Sequence, residues 1–139
     1  MTQEHKDLLL KDLCARLPYG VKLEFYASAT KRGYICTLLG LEPQEDEPVI
    51  AKTENGSFYM LAGNVKPYLF PLSSMTEEQK KDYDKIIYHS VELHHREYSD
   101  IVEIDLFDDL QEFYHKNHFD YRGLIDKRLA IDATGKNIY

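Results

Sequence analysis

A chain of 139 residues, 43% apolar and 29% charged, has the composition of one globular domain that can bury a core without metal or disulfide staples. Its net charge of −7 disfavours contact with phosphate backbones and anionic lipids, so neither direct nucleic-acid binding nor membrane binding is expected. No apolar run reaches the roughly 20 residues that span a bilayer, and the N-terminus lacks the pattern of a signal peptide. The cytoplasm is therefore the expected compartment.

The first segment has the pattern of an amphipathic helix. Thr2 is a suitable N-cap, and Pro18 and Gly20 end the segment. Apolar residues recur at helical spacing and form one stripe, which consists of Leu9, Leu10, Leu13, Cys14 and Leu17. The opposite, solvent-facing side is expected to carry Lys6, Asp7, Lys11 and Asp12.

Two β-hairpins are predicted between residues 21 and 61. Alternating apolar residues at 21–26 and a more continuously apolar run at 34–41 indicate the strands of the first hairpin. The second has strands at 49–52 and 57–61, and the Asn-Gly pair between them is the strongest short hairpin signal. The acidic residues 42–48 are typical of a solvated loop, because the alternating ligands and the glycine of a calcium loop are missing.

The middle of the chain is predicted to be a loop followed by a long helix. Residues 62–74 mix two prolines with apolar residues, which indicates a loop packed across the domain, with room for a short strand within it. Thr76 and Gln79 have the spacing of a capping box, and the helix that they begin is expected to end near Arg96.

A third helix is predicted at residues 106–116, after a short edge strand at residues 101–104. Asp105 is a suitable N-cap for this helix, and Asn117 is expected to stop it in the left-handed conformation.

The remaining residues complete the predicted fold. Residues 124–131 are predicted to form the last strand, and residues 133–139 a frayed tail. Together the elements indicate an α+β fold, in which a mainly antiparallel sheet of four to six strands is covered by three helices. One globular domain over residues 1–139 is expected, because the chain has no internal repeat and no second boundary.

Five polar side chains are the candidates for a catalytic site. His94 lies on a mostly apolar helix face, where a histidine is either a core residue or a base that faces a cleft. The other four follow the third helix, and they are His118, Asp120, Tyr121 and Arg122. Asp120 is also suited to accept backbone N–H groups in a turn or to pair with Arg122. Gly123 is expected to adopt a positive φ.

Neither the histidines nor the cysteines predict a metal or cofactor site. His89, His94 and His95 are never four residues apart, so no two imidazoles share a helix face with zinc-ligand spacing. His115, expected on the outer face of the third helix, and His118 would need further ligands from elsewhere. The two cysteines lie in apolar surroundings outside any CxxC motif and are expected to be buried, reduced thiols.

The region of the third helix is acidic, with no Lys or Arg between residues 100 and 113. Such a charge run is usually a solvated face, and the alternative is a strip that binds a protein partner or imitates nucleic-acid charge. The candidates for partner binding are Asp105, Asp108, Asp109 and Glu112.

Two motifs are distinctive, KDLCARLPYGV at residues 11–21 and HFDYRGLI at residues 118–125. With VKPYLFPLSSM between them, they resemble a family of short proteins from gut anaerobes and their phages that has no assigned activity. The resemblance implies a phage-related or mobile-element setting, and no functional residue is carried over from it.

The favoured hypothesis is a small, acidic interaction or accessory protein without catalytic activity. No Walker loop, GxGxxG, GxSxG or HExxH motif is present, and the 11 tyrosines suit interfaces because they combine an apolar ring with a polar tip. The alternatives are an enzyme of unknown class with a polar site around His94 and residues 118–122, and an acidic mimic of nucleic acid.

Overall fold

The computed structural model describes the backbone of residues 1–94 and 99–139 and the side chains outside residues 90–105. Within these ranges the helices are α1 (Gln3–Arg16), α2 (Glu77–His94) and α3 (Ser99–Lys116). The strands are β1 (Lys22–Ala27), β2 (Arg32–Leu41), β3 (Val49–Thr53), β4 (Gly56–Met60), β5 (Val65–Pro71), β6 (Phe119–Asp120) and β7 (Ile131–Asp132). The predicted α+β class is confirmed. The described sheet has seven strands, more than the four to six expected, and two of them are only two residues long.

The sheet has the strand order β4-β3-β2-β1-β5-β6, and β7 also pairs with β5. Strands β1 to β4 form consecutive antiparallel pairs, and β5 is antiparallel to β1. Strands β6 and β7 run parallel to β5, so the sheet is mixed and mostly antiparallel. Both predicted hairpins are confirmed, and β4 lies at one edge of the sheet.

Helix α1 forms the core with one face of the sheet. Its apolar stripe includes Leu9, Leu10 and Leu13, which are buried as the helical spacing predicts. They belong to one hydrophobic cluster with strand residues that alternate onto the same face, among them Leu23, Cys36, Leu38, Val49, Ala51 and Val65. The predicted cap is also confirmed, because Thr2 Oγ1 accepts a hydrogen bond from the backbone N–H of His5 at 3.1 Å.

Two residues of α1 contradict the predicted pattern. Cys14 is exposed, whereas Asp12 is completely buried. Asp12 tolerates burial because its carboxylate pairs with the guanidinium of Arg16 one turn later. Cys36 is buried as expected, and loss of solvent raises the pKa of its thiol to about 11. Both thiols are free.

Residues 62–74 were predicted to be a packed loop with room for a short strand, and the structure has the seven-residue strand β5 in this segment. Pro67 lies within the strand and is opposite Leu23 of β1. The burial of Val65 and Leu69 in the core offsets the backbone N–H that the proline lacks.

The capping box of α2 is confirmed, but the start of α3 is earlier than predicted. Thr76 N donates to Gln79 Oε1 at 2.9 Å, and Gln79 N donates to Thr76 Oγ1 at 3.1 Å. Helix α3 already includes residues 101–104, which are therefore not a strand, and Asp105 lies inside it rather than at its N-cap. No glycine or proline interrupts residues 99–116, so the helix continues through this segment. The predicted helix end at Arg96 lies outside the described residues.

The C-terminal part is less regular and more firmly attached than predicted. Residues 124–130 form turns and bends, and only Ile131 of the predicted last strand is extended, as part of β7 with Asp132. The tail is not frayed, because the Tyr139 hydroxyl accepts a hydrogen bond from Lys22 N at 3.0 Å and donates one to Tyr68 O at 2.7 Å.

Truncation of the α1 stripe should destabilise the whole domain. Leu13 is 0% exposed, so Leu13→Ala leaves a cavity and should lower the free energy of unfolding by about 2–5 kcal/mol. Leu39, which is 46% exposed, provides the matched control, and Leu39→Ala should change it by less than about 1 kcal/mol. Urea denaturation followed by circular dichroism measures both. Equal losses would show that α1 does not cover the core.

Candidate functional site

The segment after α3 is a turn held by Asp120. Its carboxylate accepts the backbone N–H groups of Leu124 and Ile125, each at 2.9 Å. Gly123 has φ 74°, a left-handed conformation that glycine adopts without strain. The predictions that Asp120 accepts backbone N–H groups and that Gly123 has a positive φ are confirmed. Asp120 is engaged with the turn and not with Arg122.

A buried ion cluster lies between α1 and this turn. The carboxylate of Asp12 accepts from Arg16 Nε at 2.7 Å and from Arg122 Nε at 3.2 Å. Arg16 is completely buried, and its Nη2 also donates to the carbonyl of Phe119 at 2.6 Å. Sequence analysis missed this cluster because it placed Asp12 in solvent. The i, i+4 spacing of Asp12 and Arg16 on one helix was the signal that could have revealed it.

Tyr121 extends the ion cluster towards α3. Its hydroxyl lies 2.7 Å from Nε2 of His115 and accepts from Nη2 of Arg122 at 3.0 Å. The Arg122 guanidinium also lies over the Tyr121 ring, 4.9 Å from its centroid. We call Asp12, Arg16, His115, Tyr121 and Arg122 the Asp12 network.

The expected outer position of His115 is wrong, because the side chain is buried against the network. Burial, with a smaller effect from the Arg16 charge, lowers the pKa of the imidazole. A neutral ring suits this position, since a third cation beside Arg16 and Arg122 would be repelled.

His118 provides the left-handed residue that was expected at Asn117. Its φ is 58°, and its ring stacks on that of Tyr139 with centroids 3.6 Å apart. Asn117 keeps a hydrogen bond from its backbone N–H to the carbonyl of Phe113, so the left-handed residue lies one position later than predicted, although the helix ends at Lys116 as expected. Burial, and then the Arg16 charge, lower the pKa of His118 to about 4. Its Nδ1 and the Nη1 of Arg16 are buried without a hydrogen-bond partner among the described side chains.

The sequence-predicted site residues thus fall into three groups. Tyr121 and Arg122 are joined in the Asp12 network, while Asp120 and His118 flank it in the turn. Asp108, Asp109 and Glu112 are exposed on α3 and do not contact this network within the described hydrogen bonds. His94 is the last described residue of α2, but its side chain and that of Asp105 lie outside the described residues.

The polar groups of the Asp12 network mostly bond to one another. Its carboxylate, guanidinium and hydroxyl groups are directed at one another, an arrangement that joins α1, α3, β6 and the turn. Among the side chains that the structure describes, no group of three or more His, Cys, Asp or Glu residues could hold a metal ion.

A separate apolar groove lies at the far end of the two hairpins. Its volume is about 710 Å³, within the usual range of ligand-binding pockets in proteins. We call it the hairpin groove, and its lining residues are Phe25, Gly33, Tyr34, Ile35, Thr53, Glu54, Asn55, Phe58, Tyr59 and Met60. Phe25 and Met60 also contact the hydrophobic cluster under α1, so the groove is a part of the core face that α1 does not cover.

The groove borders β4, which pairs only with β3 among the described strands. Thr53 and Gly56 close the two-residue turn between these strands. In such a hairpin the closing residues bond to each other, so the backbone groups of Ser57 and Tyr59 are directed away from β3. Sequence analysis predicted this hairpin but not the groove. The signal in the sequence was the pair of consecutive aromatic residues in GSFYM. Because neighbouring side chains of a strand point to opposite faces of the sheet, each face receives one aromatic ring.

Comparisons with protein-family models, with curated proteins and with solved structures find no match. None of the described helices is long and apolar enough to cross a membrane. The functional argument therefore rests on the geometry of the hairpin groove, β4 and the Asp12 network.

Neutralising Asp12 should be strongly destabilising, because two guanidinium groups would lose their shared counter-charge. Asp12→Asn is expected to lower the free energy of unfolding by about 3–5 kcal/mol, the usual effect of breaking a buried ion pair from one side. Asp7→Asn, an exposed site on the same helix, should cost less than about 0.5 kcal/mol. Chemical denaturation at neutral pH compares them. A stable Asp12→Asn protein would contradict the structural role of the network.

Stability should fall as the pH decreases from about 6.5 to about 4. The unfolded chain protonates its histidines near pH 6.5, whereas folded His118 is protonated only near pH 4. The unfolded state therefore binds more protons in this window and is favoured by acid. His118→Asn, which tolerates a left-handed φ, should reduce the pH dependence, whereas His89→Gln at an exposed position should not. Urea titrations across this pH range measure the slope, and an unchanged slope in His118→Asn would refute the assignment.

Proposed function

We propose that this chain is an interaction or accessory protein without catalytic activity, and that it binds an extended segment of a partner protein along β4. The hairpin groove would receive alternate side chains of that segment. The observation that carries the proposal is an apolar groove that is continuous with the core. This groove borders β4, an edge strand whose outer side pairs with no other described strand. In this mode of recognition main-chain hydrogen bonds supply affinity and side-chain pockets supply specificity.

The composition of β4 supports this proposal. Edge strands are normally protected by lysine, proline or a bulge, because an open edge pairs with other chains. Strand β4 contains none of these protections. Phe58 is 48% exposed although it alternates with Met60 onto the core side of the sheet. A bound strand would cover this ring and satisfy the outward backbone groups of Ser57 and Tyr59.

An enzyme with a polar site around residues 118–122 is the alternative. It is supported by the Tyr121 hydroxyl, which lies between His115 and Arg122. These groups already satisfy one another, and the hairpin groove contains none of them. Partner binding at the groove is therefore the better supported proposal.

The acidic face of α3 provides a second possible binding surface. Asp108, Asp109 and Glu112 are exposed, which suits either a basic protein partner or an imitation of nucleic-acid charge. Exposed carboxylates are also the ordinary composition of a solvated helix face, whereas an exposed aromatic groove beside an open edge is not. The experiment below compares the two surfaces directly.

We place this function in the cytoplasm and in a phage-related or mobile-element setting. The free thiols of Cys14 and Cys36 are compatible with a reducing compartment. The genetic setting rests on the sequence resemblance described above.

Panning a random library of displayed peptides of about eight residues tests the proposal. The wild-type protein should enrich sequences with alternating apolar residues. Ser57→Pro removes an outward N–H and should abolish that enrichment, as should Phe58→Asp, which places a charge in the groove. Phe107→Ser, at a ring 61% exposed on α3, is the matched control and should retain it.

The acidic surface is tested in the same experiment by a triple variant that replaces Asp108, Asp109 and Glu112 with lysine. Loss of binding in the triple variant alone would assign the partner to α3 and contradict the β4 proposal. Failure to enrich any peptide that depends on β4 would contradict it as well. Thermal melting shows whether each variant remains folded.

A further inference from the structure

The surroundings of β4 are acidic at both of its ends. At the Gly56 end, Glu54 is the one groove-lining residue that is charged at neutral pH. At the Met60 end lies the loop of residues 42–48, which connects β2 to β3 and contains the exposed acids Glu45, Asp46 and Glu47. A strand that added to β4 would therefore have carboxylates near both of its ends.

Glu42 links this acidic loop directly to the edge strand. Its Oε1 accepts a hydrogen bond from the Tyr59 hydroxyl at 3.4 Å. The loop is itself held by hydrogen bonds from Glu42 N to the carbonyl of Pro48 at 2.8 Å and from Glu45 N to that of Glu42 at 3.0 Å. The acids at the Met60 end thus have a defined position relative to β4.

The centre of β4 differs in character from its ends. Phe58 lies at the middle of the strand, and the groove residues that surround it on neighbouring strands, among them Phe25 and Tyr34, are aromatic. Lys52 pairs with Ser57 and points to the opposite face of the sheet. It lies one residue from the Gly56 end of β4, on the face of the sheet opposite the groove, so it disfavours a basic side chain on that opposite face.

We propose that the segment bound to β4 has an apolar centre and a lysine or arginine at each end, with about five residues between the two cations. This inference rests on the proposed function and names the chemistry of the partner. The five residues of β4 span roughly 17 Å, which sets the spacing of the two cations. The net charge of −7 would also steer a basic segment towards this protein.

A second copy of this chain does not fit the same site. Two antiparallel β4 strands would place Glu54 of each copy beside the acidic loop of the other, and β4 itself contains no basic residue. Like charges placed opposite each other across an interface weaken it. The acids therefore select against self-association at the same edge that they offer to a basic partner.

Three synthetic peptides with one apolar centre, acetyl-X-Thr-Val-Thr-Val-Thr-X-amide, test this inference, with X as lysine, serine or glutamate. Fluorescence polarisation should give the lysine peptide about tenfold tighter binding than the glutamate peptide at low salt, with serine between them. High salt should reduce the difference, because the charges are exposed. The double variant Glu54→Gln and Asp46→Asn should also reduce it, whereas Asp7→Asn on α1 should not.

The outcomes separate this inference from the proposed function. Equal affinity for all three peptides, each lost in Ser57→Pro and Phe58→Asp, would overturn the charge rule and leave strand binding at β4 intact. If neither these peptides nor any library peptide binds through β4, both proposals fail. A wild-type dimer in analytical ultracentrifugation that Ser57→Pro converts to monomer would overturn the inference in favour of a second copy.

Discussion

The carboxylate of Asp12 is the interaction on which the rest of the structure depends. It is fully buried between the guanidinium groups of Arg16 and Arg122. Through Arg16 it reaches the carbonyl of Phe119, a residue 103 positions away along the chain. A buried charge is costly unless it is paired, so none of these groups can occupy its position without the others. The network thereby requires α1, the end of α3 and the following turn to form together.

This requirement leaves the two hairpins comparatively independent. Helix α1 covers the core-facing residues near β1, β2 and β5, while the far end of β3 and β4 extends past it. The polar chemistry of the molecule lies at one side, where it stabilises the fold. The exposed aromatic surface lies at the other, where β4 pairs only with β3 among the described strands. The buried polar network and the exposed aromatic groove thus lie in different parts of the molecule.

Local patterns predicted the elements whose partners are close in sequence. The first helix, the hairpins and the capping box of Thr76 and Gln79 all depend on residues within a few positions of one another. Strand β5 was expected only as a short strand within a loop, because its Pro67 is unfavourable locally and the strand is stabilised by distant residues of α1 and β1.

The candidate site had the same limitation. Asp120 and Gly123 were interpreted correctly because their roles are local to one turn. Asp12 appeared solvent-facing from its helix position alone, since its second partner, Arg122, lies 110 positions away. Predicting the hairpin groove would also require knowing which core residues α1 leaves uncovered. No sequence pattern within the hairpins contains that information.

The attachment of Tyr139 to β1 has a consequence for how the protein is made. Its hydroxyl bonds Lys22 N, which lies 117 positions earlier. During synthesis the hairpins can pair as soon as they emerge, whereas Phe119, whose carbonyl accepts from Arg16, and Arg122, which pairs with Asp12, emerge more than 100 residues after α1. We therefore expect a nascent chain in which β4 is already formed while α1 still lacks its buried counterparts. In that interval the open strand edge is exposed before the core is closed, and it is then most vulnerable to aggregation.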